Sequence, residues 1–177
     1  MYTFLLASLP PLAPETPPPL TLRQLDDAAE AALIPASECA ALHSFDGVFS
    51  PADTGEDLPR VYREYLEFEL FLRMRIARKR ADRNGVALEL PASDLFDAET
   101  ALRVDQAAAL PPVEREKSLD ALRWRKIGEI AGFHEFDFDA LCVYRLKLML
   151  LTARSRRDTA RGRAAFASLL DEKAAMA

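Results

Sequence analysis

The stretch that decides the fold is PRVYREYLEFELFLRMRIARKRADRNG, residues 59–85 of this 177-residue chain. Pro59 suits the start of a helix, and Asn84-Gly85 is a typical helix stop. Between these ends, apolar side chains recur at intervals of three and four residues, namely Val61, Tyr65, Phe68, Leu72 and Ile76. Such spacing places them on one face of a helix. The stretch therefore predicts a long helix that buries an aromatic face.

The rest of the chain also has the composition of a helical protein. Half of the residues are hydrophobic and only six are glycine, a mixture that favours helices over strands. Thr21, with Gln24 three residues later, predicts a capped helix that ends near Leu33. Asp137 or Asp139 caps another helix, which is apolar on nearly every side and is therefore expected at the centre of the bundle. Further helices are predicted over Ser37–His43, Ser93–Leu110, Val113–Ala131 and Arg163–Ala175.

Three segments lie outside this helical pattern. Tyr2–Leu9 is apolar and is predicted to be extended, and residues 10–19 form a proline-rich linker because each proline ring fixes φ and removes a donor. Residues 46–57 are acidic and rich in turn formers, which predicts a flexible loop. We therefore predict an all-α fold: one domain spanning 1–177, a helical bundle of about five to seven helices with a short extended N-terminal segment.

Charge is unevenly distributed along the chain, which carries a net charge of −5. Residues 1–70 are strongly acidic, whereas two segments are basic. The first basic stripe consists of Arg73, Arg75, Arg78, Lys79, Arg80 and Arg83. The second basic stripe begins with Arg154, Arg156 and Arg157. Each stripe fits a solvated helix face, a docking surface for an acidic protein, or a contact with phosphate or nucleic acid. These residues, together with Trp124 as core residue or interface anchor, are the candidate partner-binding residues.

Motifs that carry chemistry are absent from the sequence. It contains no GxxxxGK[ST] or GxGxxG phosphate loop and no GxSxG elbow. His43 and His134 lack partners at metal-ligand spacing, and Cys39 and Cys142 have no CxxC neighbour. We therefore predict no catalytic, cofactor-binding or metal-binding residue and a cytoplasmic protein with reduced cysteines. A small enzyme built on Glu64, Glu67 and Glu69 with His134 remains an alternative.

Several segments, in order along nearly the whole chain, resemble one family. They are Tyr2–Pro10 (YTFLLASLP), Pro17–Leu25, Tyr65–Ala81, Arg115–Trp124 (REKSLDALRW), Phe136–Leu148 (FDFDALCVYRLKL) and Arg161–Phe166. The family is the domain-of-unknown-function family associated with bacterial V-type ATPases. Its Phe-Asp-x-Asp-x-Leu-x-x-Tyr-x-x-Lys-Leu helix is the most recognisable part, and residues 136–148 look like it.

This resemblance implies a function in a rotary ATPase. Members are thought to take the place of the larger C-type subunit (d-type in eukaryotes), the helical linker between the central stalk and the membrane ring. We therefore expect a non-catalytic subunit or assembly factor without cofactors, with V-type ATPase subunits as partners, held at the inner face of the plasma membrane through the complex. The chain is shorter than a full C-type subunit. The alternative is a nucleic-acid-associated helical regulator that uses both basic stripes.

Overall fold

The fold is given by a computed structural model that describes residues 1–45, 58–87 and 98–157. Within these ranges the chain forms helices and no strands, which confirms the predicted all-α class. The helices are α1 (Tyr2–Ser8), α2 (Leu22–Ala31), α3 (Ala36–His43), α4 (Arg60–Arg83), α5 (Ala98–Ala109), α6 (Pro112–Ala131) and α7 (Phe138–Ser155).

Helix ends follow the signals in the sequence. The Thr21 hydroxyl accepts from the Gln24 backbone N–H at 3.2 Å, and the Thr21 N–H donates to Gln24 Oε1 at 2.8 Å, so the predicted capping box begins α2. Of the two aspartates predicted to cap α7, Asp137 is the N-cap residue, and its Oδ1 accepts from the Ala140 N–H at 2.9 Å. Helix α6 ends at Gly132, whose φ of +53° a side chain would strain.

A first core cluster surrounds α7, which lies at the centre as predicted. Helix α7 contacts α1, α2, α3, α4 and α6. Leu141, Cys142 and Leu148 are completely buried in it, and Val61 and Tyr62 of α4 are buried opposite them. The Tyr62 hydroxyl donates to the Leu42 carbonyl at 2.9 Å, which satisfies its one polar atom in the core.

A second core cluster fills the space between the later half of α4 and the helices α5 and α6. Its buried members are Phe68, Phe71, Leu72, Ile76, Val104, Ala107, Ala108 and Leu119. Helix α4 therefore belongs to both clusters, and its aromatic face is buried along most of its 24 residues. Arg60 at the start of α4 contacts the Ile130 carbonyl near the end of α6, so these two helices run antiparallel.

The predicted extended N-terminal segment is wrong, because residues 2–8 form helix α1. No strand lies in the described ranges to pair with an extended segment, whereas a helix satisfies its own backbone groups. The Leu9 N–H donates to the Leu5 carbonyl at 3.2 Å, and Leu5 is buried against α7. Helix formation therefore satisfies the backbone and buries an apolar residue at the same time.

The proline-rich stretch 10–19 is not helical, in agreement with the prediction, but it is attached to α7. The Tyr144 hydroxyl donates to the Pro10 carbonyl at 2.8 Å, and Arg154 Nη1 donates to the Pro14 carbonyl. Two further predictions, the acidic loop at 46–57 and the helix at 163–175, lie outside the described residues, as does the predicted start of α5 at residues 93–97.

Candidate functional site

A cleft of about 310 Å³ opens where α4, α6 and α7 meet. Four arginines are among the residues that line it: Arg73, Arg123, Arg156 and Arg157. We refer to it as the arginine cleft. Most of the other lining residues are apolar, among them Leu22, Phe45, Leu66, Leu146, Met149 and Leu150. The cleft therefore brings part of the first basic stripe next to part of the second, although they are more than 80 residues apart in sequence.

Glu69 lies in the wall of the arginine cleft and organises its α4 side. Its side chain is almost fully buried and pairs with Arg123 of α6. The Tyr65 hydroxyl donates to Glu69 Oε1 at 3.2 Å, and Arg73 Nε lies 3.5 Å from Glu69 Oε2. A buried carboxylate of this kind is tolerated because it is paired and hydrogen-bonded. Glu69 thereby fixes the positions of two of the four arginines.

Asp120 plays the same part on the α6 side. It is also almost fully buried, and its Oδ1 lies 3.1 Å from Arg123 Nη1. Its Oδ2 accepts from Arg157 Nη1 at 2.6 Å, which joins α6 to the residues that follow α7. Arg156, by contrast, is exposed and forms no ion pair with any described residue. Four guanidinium groups thus face two carboxylates, and the cleft is cationic.

Burial and pairing set the protonation of the groups in the cleft. Burial alone would lower the pKa of Arg123, but the charge and hydrogen bond of Glu69 outweigh it, so the pKa of Arg123 rises above its ordinary value. Burial also raises the pKa of Tyr65, and the neighbouring Glu69 carboxylate raises it further. Arg123 stays charged and Tyr65 stays a neutral donor across the physiological range. Both groups are already engaged by Glu69, so the cation that the cleft offers to an anion is Arg156.

The other members of the first basic stripe do not line the arginine cleft. Arg75 donates to Asp105 of α5 through Nε at 2.7 Å and through Nη2 at 2.9 Å, and Lys79 Nζ lies 3.1 Å from Asp105 Oδ2. Burial would raise the pKa of Asp105, but the hydrogen bonds from these two cations lower it below its usual value. Arg75 and Lys79 therefore attach α5 to α4. Arg78, Arg80 and Arg83 are exposed on the last turns of α4, outside the cleft.

Trp124 and Arg154 lie together at a smaller cleft of about 180 Å³ beside the proline-rich stretch. Trp124 is half-buried, and Lys147 Nζ lies 5.3 Å from the centre of its ring. Burial lowers the pKa of Lys147. Arg154 Nη1 donates a hydrogen bond to the Pro14 carbonyl. Arg154 thus holds Pro14 against α7, and Trp124 lines the same cleft as Pro14. Neither of them lines the arginine cleft.

The histidines and cysteines occupy structural positions in the described part of the chain. His134 contacts Asp137 after α6, and His43 Nε2 lies 3.1 Å from Asp26. Within the described ranges no three histidine, cysteine, aspartate or glutamate side chains are arranged to hold a metal ion. Both cysteines are free thiols, and burial raises the pKa of Cys142 to about 12.

The residues proposed for the enzyme alternative do not meet in one site. Glu64 pairs with Arg60 at 2.8 Å near the start of α4, and Arg60 also contacts Asp139, close to His134. Glu69 lies further along α4 and faces the arginine cleft. Glu67 is exposed.

None of the described helices is long and apolar enough to cross a membrane.

Sequence analysis named Glu69 as part of the enzyme alternative and not as a residue that organises the arginine cleft, and it did not single out Asp120 or Arg123. One signal for Glu69 was present, because it lies four residues after Tyr65 and three before Leu72, on the apolar face of α4. A charged residue at a core position of a helix needs a buried partner. Which residue supplies it, here Arg123 at 54 positions further along, depends on the packing of α4 against α6.

Of the comparisons with known proteins, one gives a match. Neither the curated proteins nor the solved structures contain a match to this chain. A family model described as "Protein of unknown function (DUF2764)" matches residues 60–174, which include α4 to α7 and every arginine of the cleft. Because this match covers well over half of the sequence, the chain belongs to the DUF2764 family of proteins of unknown function.

Proposed function

We propose that this chain is a non-catalytic subunit or assembly factor of a bacterial V-type rotary ATPase, a linker of the C/d type between the central stalk and the membrane ring. The observation that carries the proposal is the resemblance of ordered segments along the chain. Most of these segments coincide with α1, α4, α6 and α7. Helices α4, α6 and α7 pack on one another, and α1 packs on α7. The complex would hold the protein at the inner face of the plasma membrane.

The architecture supports a role that requires stiffness. A linker in a rotary machine transmits load, and packed helices deform little because protein interiors are close-packed. Helix α4 extends about 36 Å and is buried against its neighbours along most of its length. The salt bridges Arg75–Asp105 and Arg60–Asp139 join it to α5 and α7. These features favour a scaffold that binds other proteins of the complex.

The arginine cleft is the surface that we assign to the partner protein. The first basic stripe as a whole is less suited to bind the partner, because Arg75 and Lys79 are already paired with Asp105. Reversing Arg75 would therefore disturb the packing of α5 as well as any interface. Arg156 is the better position, because its charge is exposed and unpaired among the described residues. The contact would be made by a cationic cleft whose lining is also partly apolar.

The test is affinity purification of tagged protein from its native cell at moderate salt, followed by mass spectrometry. We expect V-type ATPase subunits in stoichiometric amounts with the unaltered chain and with Arg63→Glu, which reverses an exposed charge on α4 that does not line the cleft. We expect them to be depleted with Arg156→Glu. Recovery of the unaltered protein alone, from cells whose ATPase is intact, would refute the proposed function.

A further inference from the structure

We infer that the arginine cleft binds an acidic amphipathic segment of a protein partner, with a carboxylate that pairs with an arginine and an apolar side chain that contacts the apolar lining. The inference rests on the proposed role of the chain as a protein-binding linker, but not on the identity of the complex. It names the chemistry of the ligand.

The size and lining of the cleft set the first requirement. An apolar cavity of about 150 Å³ accommodates benzene, so about 310 Å³ has room for one large apolar side chain together with a carboxylate group. The apolar lining includes Phe45, Leu66 and Met149 together with further aliphatic side chains. Methionine adapts its shape to irregular partners. A purely ionic ligand would leave this apolar lining in contact with water.

The charge of the cleft sets the second requirement. Two of the guanidinium groups, on Arg123 and Arg157, are already held by the buried carboxylates of Glu69 and Asp120. Arg156 has no such partner among the described residues. A guanidinium group binds a carboxylate through two parallel hydrogen bonds. One incoming carboxylate can therefore pair with Arg156, next to arginines whose charges are held in place.

The same carboxylates argue against a polyanion as the ligand. Glu69 and Asp120 already offset two of the four arginine charges, so the cluster can neutralise one or two added negative charges and not a chain of phosphates. The protein as a whole also carries a net charge of −5, and nucleic-acid binding depends on many phosphate contacts along an extended basic surface. A short protein segment with one or two carboxylates and a neighbouring apolar side chain fits both the charge and the apolar lining of the cleft.

The experiment measures fluorescence anisotropy of three labelled synthetic peptides with the full-length protein. The first peptide contains a single Glu-Glu-Leu-Leu segment, the second has glutamine for both glutamates, and the third has serine for both leucines. We expect saturable binding of the first peptide only. Arg156→Glu should weaken it at least about tenfold, because it removes the unpaired cation and adds a repelling charge. Arg63→Glu, the matched charge reversal outside the cleft, should leave it unchanged.

Three results would overturn the inference. Absence of saturable binding of the Glu-Leu peptide would mean that the cleft does not take such a segment. Equal binding to the Arg156→Glu variant would place the contact elsewhere. Displacement of the peptide by duplex DNA at low salt, with an affinity that falls steeply as salt is added, would favour nucleic acid as the ligand. Peptide binding without recovery of ATPase subunits from cells would refute only the proposed complex.

Discussion

The buried pair Glu69–Arg123 offers a stability prediction that can be worked out from its surroundings. Glu69 is 5% exposed, and the side chain of Arg123 is 15% exposed. Glu69→Gln keeps the shape of the side chain and an acceptor for Tyr65, but it leaves Arg123 with only Asp120 as a counter-charge. Removing one partner of a buried ion pair costs about 3 kcal/mol, at the lower end of the usual range because Asp120 remains.

A double-mutant cycle separates the pair from its surroundings. Arg123→Met should cost a similar amount, since it leaves the buried Glu69 with only Arg73 at 3.5 Å. The double variant removes both charges and keeps an acceptor at position 69 for the Tyr65 hydroxyl. We therefore expect the double variant to be about 2 kcal/mol more stable than the sum of the single effects predicts.

The assay is urea denaturation followed by far-ultraviolet circular dichroism, with all four proteins at the same low salt concentration. The difference in free energy of unfolding gives the coupling directly, provided that the slope with urea stays constant. Single effects that add to within about 0.5 kcal/mol in the double variant would refute the reasoning, because independent sites behave in that way. Glu69 and Arg123 would then not act as a buried pair.

Three further results are expected. Leu141→Ala should lower the free energy of unfolding by about 2–5 kcal/mol in the same urea assay, because this side chain is completely buried in the first core cluster. Because the folded-state pKa of Asp105 is depressed, its salt bridge with Arg75 stabilises the fold above the unfolded value of about 3.9 and is lost as pH falls through the folded value. Urea titrations across acidic pH should therefore show a steeper loss for the unaltered protein than for Asp105→Asn. Thiol titration at pH 8 should modify Cys39, which is partly accessible, while Cys142 reacts only on unfolding because burial raises its pKa to about 12.

The long helices were predictable from the sequence because their signals are local. Pro59 and Gly85 bracket α4, and the capping box at Thr21 begins α2. The centre of the bundle also followed from the sequence, since a helix that is apolar on nearly every side has to be surrounded by others. Helix α1 was the exception. A short apolar run before prolines has the pattern of a strand as much as of a helix, and the described residues supply no partner strand.

The arginine cleft was predictable only in part. Arg73 and Arg156 were identified as basic candidates, but their convergence depends on the way α4 packs against α7. Arg75 was identified for the same reason as Arg73, and it points to Asp105 instead, because residues two apart on a helix face different directions. Sequence composition supplies the charges, whereas tertiary packing decides which of them stay available to a partner.

The sharing of α4 between the two core clusters has a consequence for how the molecule opens. Neither cluster can lose its order alone, because each would have to release half of the same continuous helix. Backbone amides in the middle of α4 should therefore exchange with solvent only through global unfolding, whereas those of α1, which packs mainly on α7 among the described helices, should exchange through local opening. A fragment that lacks α5 and α6 would leave the later half of α4 with an uncovered aromatic face and a tendency to aggregate.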